Sequence, residues 1–80
     1  MAIRLVFLGR LEDAAGASDR EVATVPSLDA LYAGLEPDLV AALQADRIKL
    51  AHNGALLRAG DAPQLTDGDE LAFLPPVSGG

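Results

Sequence analysis

Side-chain catalysis needs groups that this sequence barely contains. There is one histidine, His52, no cysteine, and three serines, Ser18, Ser27 and Ser78, none within an activating motif. His52 precedes Asn53-Gly54 and reads as a surface strand residue rather than a general base. The acidic residues fall at turns and helix ends: Glu12-Asp13, Asp29, Asp38, Asp67 and Asp69-Glu70. The run DGDE lacks the alternating ligands and flanking helices of a calcium loop, so it reads as a solvated turn and no metal site is expected. That leaves the C-terminal stretch LAFLPPVSGG. Pro75 and Pro76 have no N–H to donate, so the chain must leave any sheet there in a stiff, extended form. Residues 75–80 then reach at most about 20 Å, at an extended rise of about 3.3 Å each. Gly79 and Gly80 carry no side chains and fit a narrow channel, which leaves the α-carboxylate of Gly80 as the reactive group. A carboxylate is a poor electrophile. Activation by ATP as an acyl-adenylate supplies a leaving group, and a sulfide equivalent then gives a thiocarboxylate. The competing reading is a frayed end with no role.

Composition narrows the setting. The chain has 80 residues, enough for one small domain. Half the residues are hydrophobic but only three are aromatic, so the core must come from Leu, Val, Ile and Ala, with Phe7, Phe73 and Tyr32 as large pieces. Twelve acidic against six basic residues give a net charge of -6, which disfavours nucleic acid and anionic membranes and suits a partner with a basic face. Without cysteine there is no disulfide, thiolate metal site or thiol nucleophile. The N-terminal apolar run is short and broken by Arg4 and Arg10, so neither a signal peptide nor a membrane span is expected, and the protein reads as cytoplasmic.

The elements that must position the tail follow from periodicity. IRLVFL, residues 3–8, alternates as a strand with Ile3, Leu5 and Phe7 inward. The stretch 9–18, with its glycines and small residues, reads as a long loop leading to a second strand, REVATV, at 20–25. Ser27 is a good N-cap for a helix in which Leu28, Leu31, Tyr32 and Leu35 share one face. Pro37 suits the first turn of a short second helix or a loose connection carrying Leu39, Val40 and Leu43. IKLAH at 48–52, Asn53-Gly54 and ALLR form the pattern of a tight type I′ hairpin. TDGD, residues 66–69, is a turn, and ELAFL at 70–74 is the last strand. The order strand, strand, helix, strand, strand, strand predicts an α+β domain of the β-grasp, ubiquitin-like kind, a mixed sheet packed on a central helix. Residues 1–74 form that domain and 75–80 a flexible tail.

The stretch LTDGDELAFLPPVSGG, residues 65–80, closely resembles the C-terminal signature of the molybdopterin synthase small-subunit family, ubiquitin-like sulfur carriers of molybdenum cofactor biosynthesis. The likeness extends more weakly through IRLVFLGRL, SLDALYAGL and the Asn53-Gly54 turn. It implies that Gly80 is adenylated by an ATP-dependent activating enzyme and carries sulfur as a thiocarboxylate. The tail, with Pro75, Pro76, Val77, Ser78 and Gly79, would enter the large subunit of molybdopterin synthase. There sulfur passes to cyclic pyranopterin monophosphate, two loaded carriers being used per dithiolene. On this resemblance the chain is no enzyme by itself. It binds no cofactor, ATP being used by the activating enzyme, and forms a heterotetramer with two large subunits.

Alternation also gives a docking surface. With Leu5, Phe7, Leu71 and Phe73 inward, Val6, Leu8, Ala72 and Leu74 face out, and Leu56 joins them if the hairpin register allows. The family often carries aromatic residues where Leu8 and Leu74 stand here. Three further readings remain open: a carrier for thiamine thiazole synthesis or tRNA thiolation, a ubiquitin-like adaptor with an inert tail, and a modifier joined to lysines. The double proline favours the molybdopterin family over thiazole carriers.

Overall fold

The computed structural model describes residues 2–45, 47–58 and 60–76. Strand β1, Ala2–Phe7, alternates as its side chains dictate: Ile3, Leu5 and Phe7 are buried, Arg4 is exposed and Val6 half-buried. The stretch after it is not an open loop. Leu11–Ala15 forms a short helix, α1, closed by Gly16 in the left-handed conformation at φ 79°. It has no side-chain N-cap and buries only Leu11, so five residues leave no readable helical period. The burial of Leu11 lays α1 against β1 and a later helix, Pro37–Leu43.

Strand β2, Asp19–Ala23, pairs antiparallel with β1, from Ala2↔Ala23 to Val6↔Asp19. It stops short of the predicted residue 25 because Ala23 already lies opposite the first residue of β1. Helix α2, Leu28–Ala33, starts at Ser27, whose Oγ accepts the Ala30 N–H at 3.2 Å. Helix α3, Pro37–Leu43, has Pro37 in its first turn and buries Leu39 and Leu43, one turn apart. The Glu36 carboxylate accepts two bonds from the Arg20 guanidinium, at 2.9 and 3.0 Å, joining β2 to the start of α3. Of the two readings for the stretch after Pro37, a short second helix and a loose connection, the structure has the helix.

Strand β3, Lys49–His52, turns through Asn53 (φ 51°) and Gly54 (φ 86°) into β4, Ala55–Leu56. Both turn residues take the positive φ that a two-residue hairpin requires. Strand β5, Glu70–Leu74, lies between β1, to which it is parallel, and β3, to which it is antiparallel. The sheet order is β2-β1-β5-β3-β4. First and last strands side by side in the middle, with helices on one face, make the expected ubiquitin-like β-grasp arrangement. Phe7 and Phe73 are register partners whose rings stack at 5.7 Å. Around them pack Ile3, Leu5 and Leu71 from the sheet, leucines of all three helices, and Leu65 from the connection before β5. Among the described residues no helix is long and apolar enough to cross a membrane.

Candidate functional site

Strand β5 delivers the chain to the tail. The last backbone contact on the β1 side is Leu8 N–H donating to Phe73 O at 3.1 Å. Beyond it Gly9 turns at φ 56°, and a Cβ there would come 2.9 Å from Pro75 Cγ. The backbone of Gly9 therefore seats the Pro75 ring, a close approach that needs a residue without a side chain. Pro75 and Pro76 are both half-buried. Pro75 is held by this contact, and the rings of Pro75 and Pro76 stiffen the backbone there. Val77, Ser78, Gly79 and Gly80 lie outside the described residues.

The sheet register determines which side chains surround that exit. Val6 pairs with Ala72, Ala72 with Ala51, and Ala51 with Leu56, so these four form one row across the outer face of β1, β5, β3 and β4. Leu74 pairs with Lys49 in the next row, and Leu8 follows at the end of β1. Leu8 is 42% and Leu56 60% exposed, the two large apolar side chains most open to solvent among the described residues. The alanines keep the middle of the row low, with Val6 at one end and Leu56 at the other. Arg4 and Asp19 lie on the same face, paired at 3.1 Å. The geometry thus brings Val6, Leu8, Leu56 and Leu74 onto one face beside Pro75. Lys49, the only lysine of the chain, stands among them.

The other end of β5 holds a polar cluster that the sequence reading misplaces. His52 is no free surface residue: its Nε2 lies 2.8 Å from Asp69 Oδ2, and both side chains are largely covered. The expected turn at 66–69 is formed, Thr66 O accepting the Asp69 N–H at 3.2 Å, but the Asp69 side chain is buried rather than solvated. Its Oδ2 accepts the Thr66 N–H at 2.9 Å, and its Oδ1 accepts the Thr66 hydroxyl and the Asn53 amide, both at 3.1 Å. Asn53 Oδ1 in turn accepts the Glu70 N–H at 2.8 Å. His52 first, then the Thr66 N–H and the Asn53 amide, hold the Asp69 carboxyl well below the usual carboxylate range. An ionised carboxylate has no proton to give, so Nε2 is the donor. The signal for this cluster was parity: residues 52, 69 and 71 all point to the helix side of the sheet. It was hidden because 17 residues separate His52 from Asp69.

This cluster can do no chemistry on the tail. The five residues of β5 intervene, about 17 Å at about 3.4 Å each. It fastens the Asn53-Gly54 turn to the start of β5 and so fixes the register on which the outer face depends. Among the described residues no three His, Asp or Glu side chains converge to hold a metal ion.

The pattern of the ThiS family matches residues 5–80, from the middle of β1 through the two glycines. The chain belongs to the ThiS family. Its relatives include the molybdopterin synthase sulfur carrier subunit of Escherichia coli, 39% identical over 87 residues that take in 98% of this chain and 99% of that one. Among solved structures it is similar to SAMP1 of Haloferax volcanii, with TM-score 0.75, 28% identity and full coverage of both chains. It is also similar to a chain in the complex of subunits 1 and 2 of molybdopterin-converting factor from Helicobacter pylori, with TM-score 0.71, 26% identity and full coverage of both.

Proposed function

We propose that this chain is the sulfur-carrier subunit of molybdopterin synthase. The observation that carries the reading is a relation of 39% identity, spanning nearly the full length of both chains, to a molybdopterin synthase sulfur carrier subunit. The architecture is compatible with that role: a body offering side chains for docking, not for catalysis, and a proline root seated on Gly9. In the proposed cycle a Gly80 carboxylate oxygen attacks the α-phosphorus of ATP on an activating enzyme, releasing pyrophosphate and forming the acyl-adenylate. Hydrosulfide or its carrier-bound equivalent displaces AMP and leaves the thiocarboxylate. Its sulfur is then given up to the pyranopterin substrate in the large subunit, and water restores the carboxylate. The chain itself holds no cofactor. It acts in the cytoplasm in a heterotetramer with two large subunits, docked through Val6, Leu8, Leu56 and Leu74, with residues 75–80 inserted in the large subunit's pocket.

The test is the intact mass after incubation with ATP, the cognate activating enzyme and a sulfur source. Replacement of one oxygen by sulfur is expected, and a variant lacking Gly79 and Gly80 is expected to gain nothing. No change in mass, with the enzyme shown competent on another carrier, would overturn the reading. The likeness to SAMP1, whose Methanosarcina acetivorans counterpart is described as a small archaeal modifier protein, favours a second reading in which the activated Gly80 is joined to lysines. Protein conjugates of this chain in cell extract would support that reading.

A further inference from the structure

The six basic residues of this acidic chain are unevenly placed. Three of them, Arg47, Lys49 and Arg58, line one open cleft of about 740 Å³ at the free edge of the sheet. Its walls are apolar, built by Ile48, Leu50, Leu56 and Leu57 among others. Among the described residues none of the three cations is in an ion pair with a carboxylate. The one acidic side chain in the lining, Asp61, is engaged through Oδ2 by the Arg58 N–H at 2.8 Å. A molecule of net charge -6 thus carries a locally cationic, greasy cleft.

The cleft is continuous with the docking face. Leu56 belongs to both its wall and the outer row, and Lys49 pairs with Leu74 at the foot of the tail. Backbone connection places the basic residues at the tail end of the sheet: Arg47 precedes the start of β3, and Leu57 N–H donates to Leu50 O, bringing Arg58 beside Lys49. We propose that this cleft receives an acidic segment of the protein that accepts the tail, its carboxylates meeting Arg47, Lys49 and Arg58 and an apolar side chain between them entering among the leucines. That the partner is the one accepting the tail rests on the carrier reading; the chemistry of the segment does not. A polyphosphate chain is the poorer occupant, because the remainder of the molecule repels an extended polyanion. Paired charges at a docking edge steer encounter and fix orientation, which is what a tail that must find a narrow pocket requires.

The test titrates the isotope-labelled protein with a hexapeptide of alternating glutamate and leucine, and with its glutamine counterpart. The glutamate peptide is expected to shift the amides of Ile48, Lys49, Leu57 and Arg58, and to lose affinity at least tenfold between about 0.05 M and about 0.5 M salt. Lys49→Glu with Arg58→Glu is expected to weaken it at least tenfold with unchanged circular dichroism, and Lys49→Gln to weaken it by less. Equal shifts from the glutamine peptide, no shift at those amides, or the same shifts from inorganic phosphate at equal concentration would each overturn the proposal. Calorimetry with the large subunit separates the two readings. Binding that the double variant leaves unchanged sinks the cleft alone. Failure of the wild type to bind, while the acidic peptide still occupies the cleft, sinks the assignment of that partner.

Discussion

At the scale of single residues, two positions hold the ends of β5. Asp69 anchors its start through four accepted hydrogen bonds, and its folded carboxyl titrates below its ordinary value of 3.8. A lowered folded value means that the unfolded chain binds the proton more readily. The contribution is therefore complete above about pH 5 and is lost as pH falls below about 4 toward the folded value. Asp69→Asn is expected to lower Tm at pH 7, and the gap to wild type to close as pH falls from 5 to 2, read by thermal unfolding across that range. A gap that stays constant with pH would show that the cluster acts by packing alone. At the other end Gly9 sits at φ 56° against Pro75. Gly9→Val places a branched side chain in the left-handed region and into the proline ring, and is expected to cost about 1–2 kcal/mol in urea unfolding and to move the Pro75 resonances. Neither anchor is visible in a linear reading: one joins residues far apart in sequence, and the other is a contact between a turn and the far end of the chain.

Elements show a different division. The inward set of β1 and β5 follows from alternation alone, and the stacked Phe7 and Phe73 are its outcome. Phe73→Ala removes one ring of that stack and is expected to cost about 3–5 kcal/mol, a large share of the roughly 5–15 kcal/mol typical of a domain; urea titration measures it. Ser27→Ala removes the cap of α2 and is expected to cost about 1 kcal/mol by the same measurement. The Ser27 cap, the Pro37 start and the Asn53-Gly54 turn were legible because each is a local rule carried by one or two residue types. Helix α1 was not, because nothing local requires it: Arg10 offers no cap, and Leu11 makes the helix worthwhile only once the sheet and α3 are in place. The outer row was legible in part. Alternation assigned Val6 and Ala72 to it, whereas the place of Leu56 depended on a hairpin register that only the paired strands define.

For the whole molecule, the two faces of one sheet separate stability from the recognition proposed above. The helix-covered face holds the aromatic pair and the leucine core; the open face holds alanines, exposed leucines and the tail root. Substitution on the open face should therefore leave the fold alone. Leu74→Asp is expected to weaken binding to the large subunit at least tenfold, about 1.4 kcal/mol, while circular dichroism and Tm stay near wild type. Unchanged affinity by calorimetry would remove Leu74 from the docking surface. The solitary lysine on that face has a practical corollary. Reductive methylation with carbon-13 formaldehyde would put one side-chain label on the entire molecule, at Lys49, with the α-amino group as the only other amine to take it. Because Lys49 stands opposite Leu74 where β5 gives way to the tail, a single resonance would then report every arrival at the place where the tail begins.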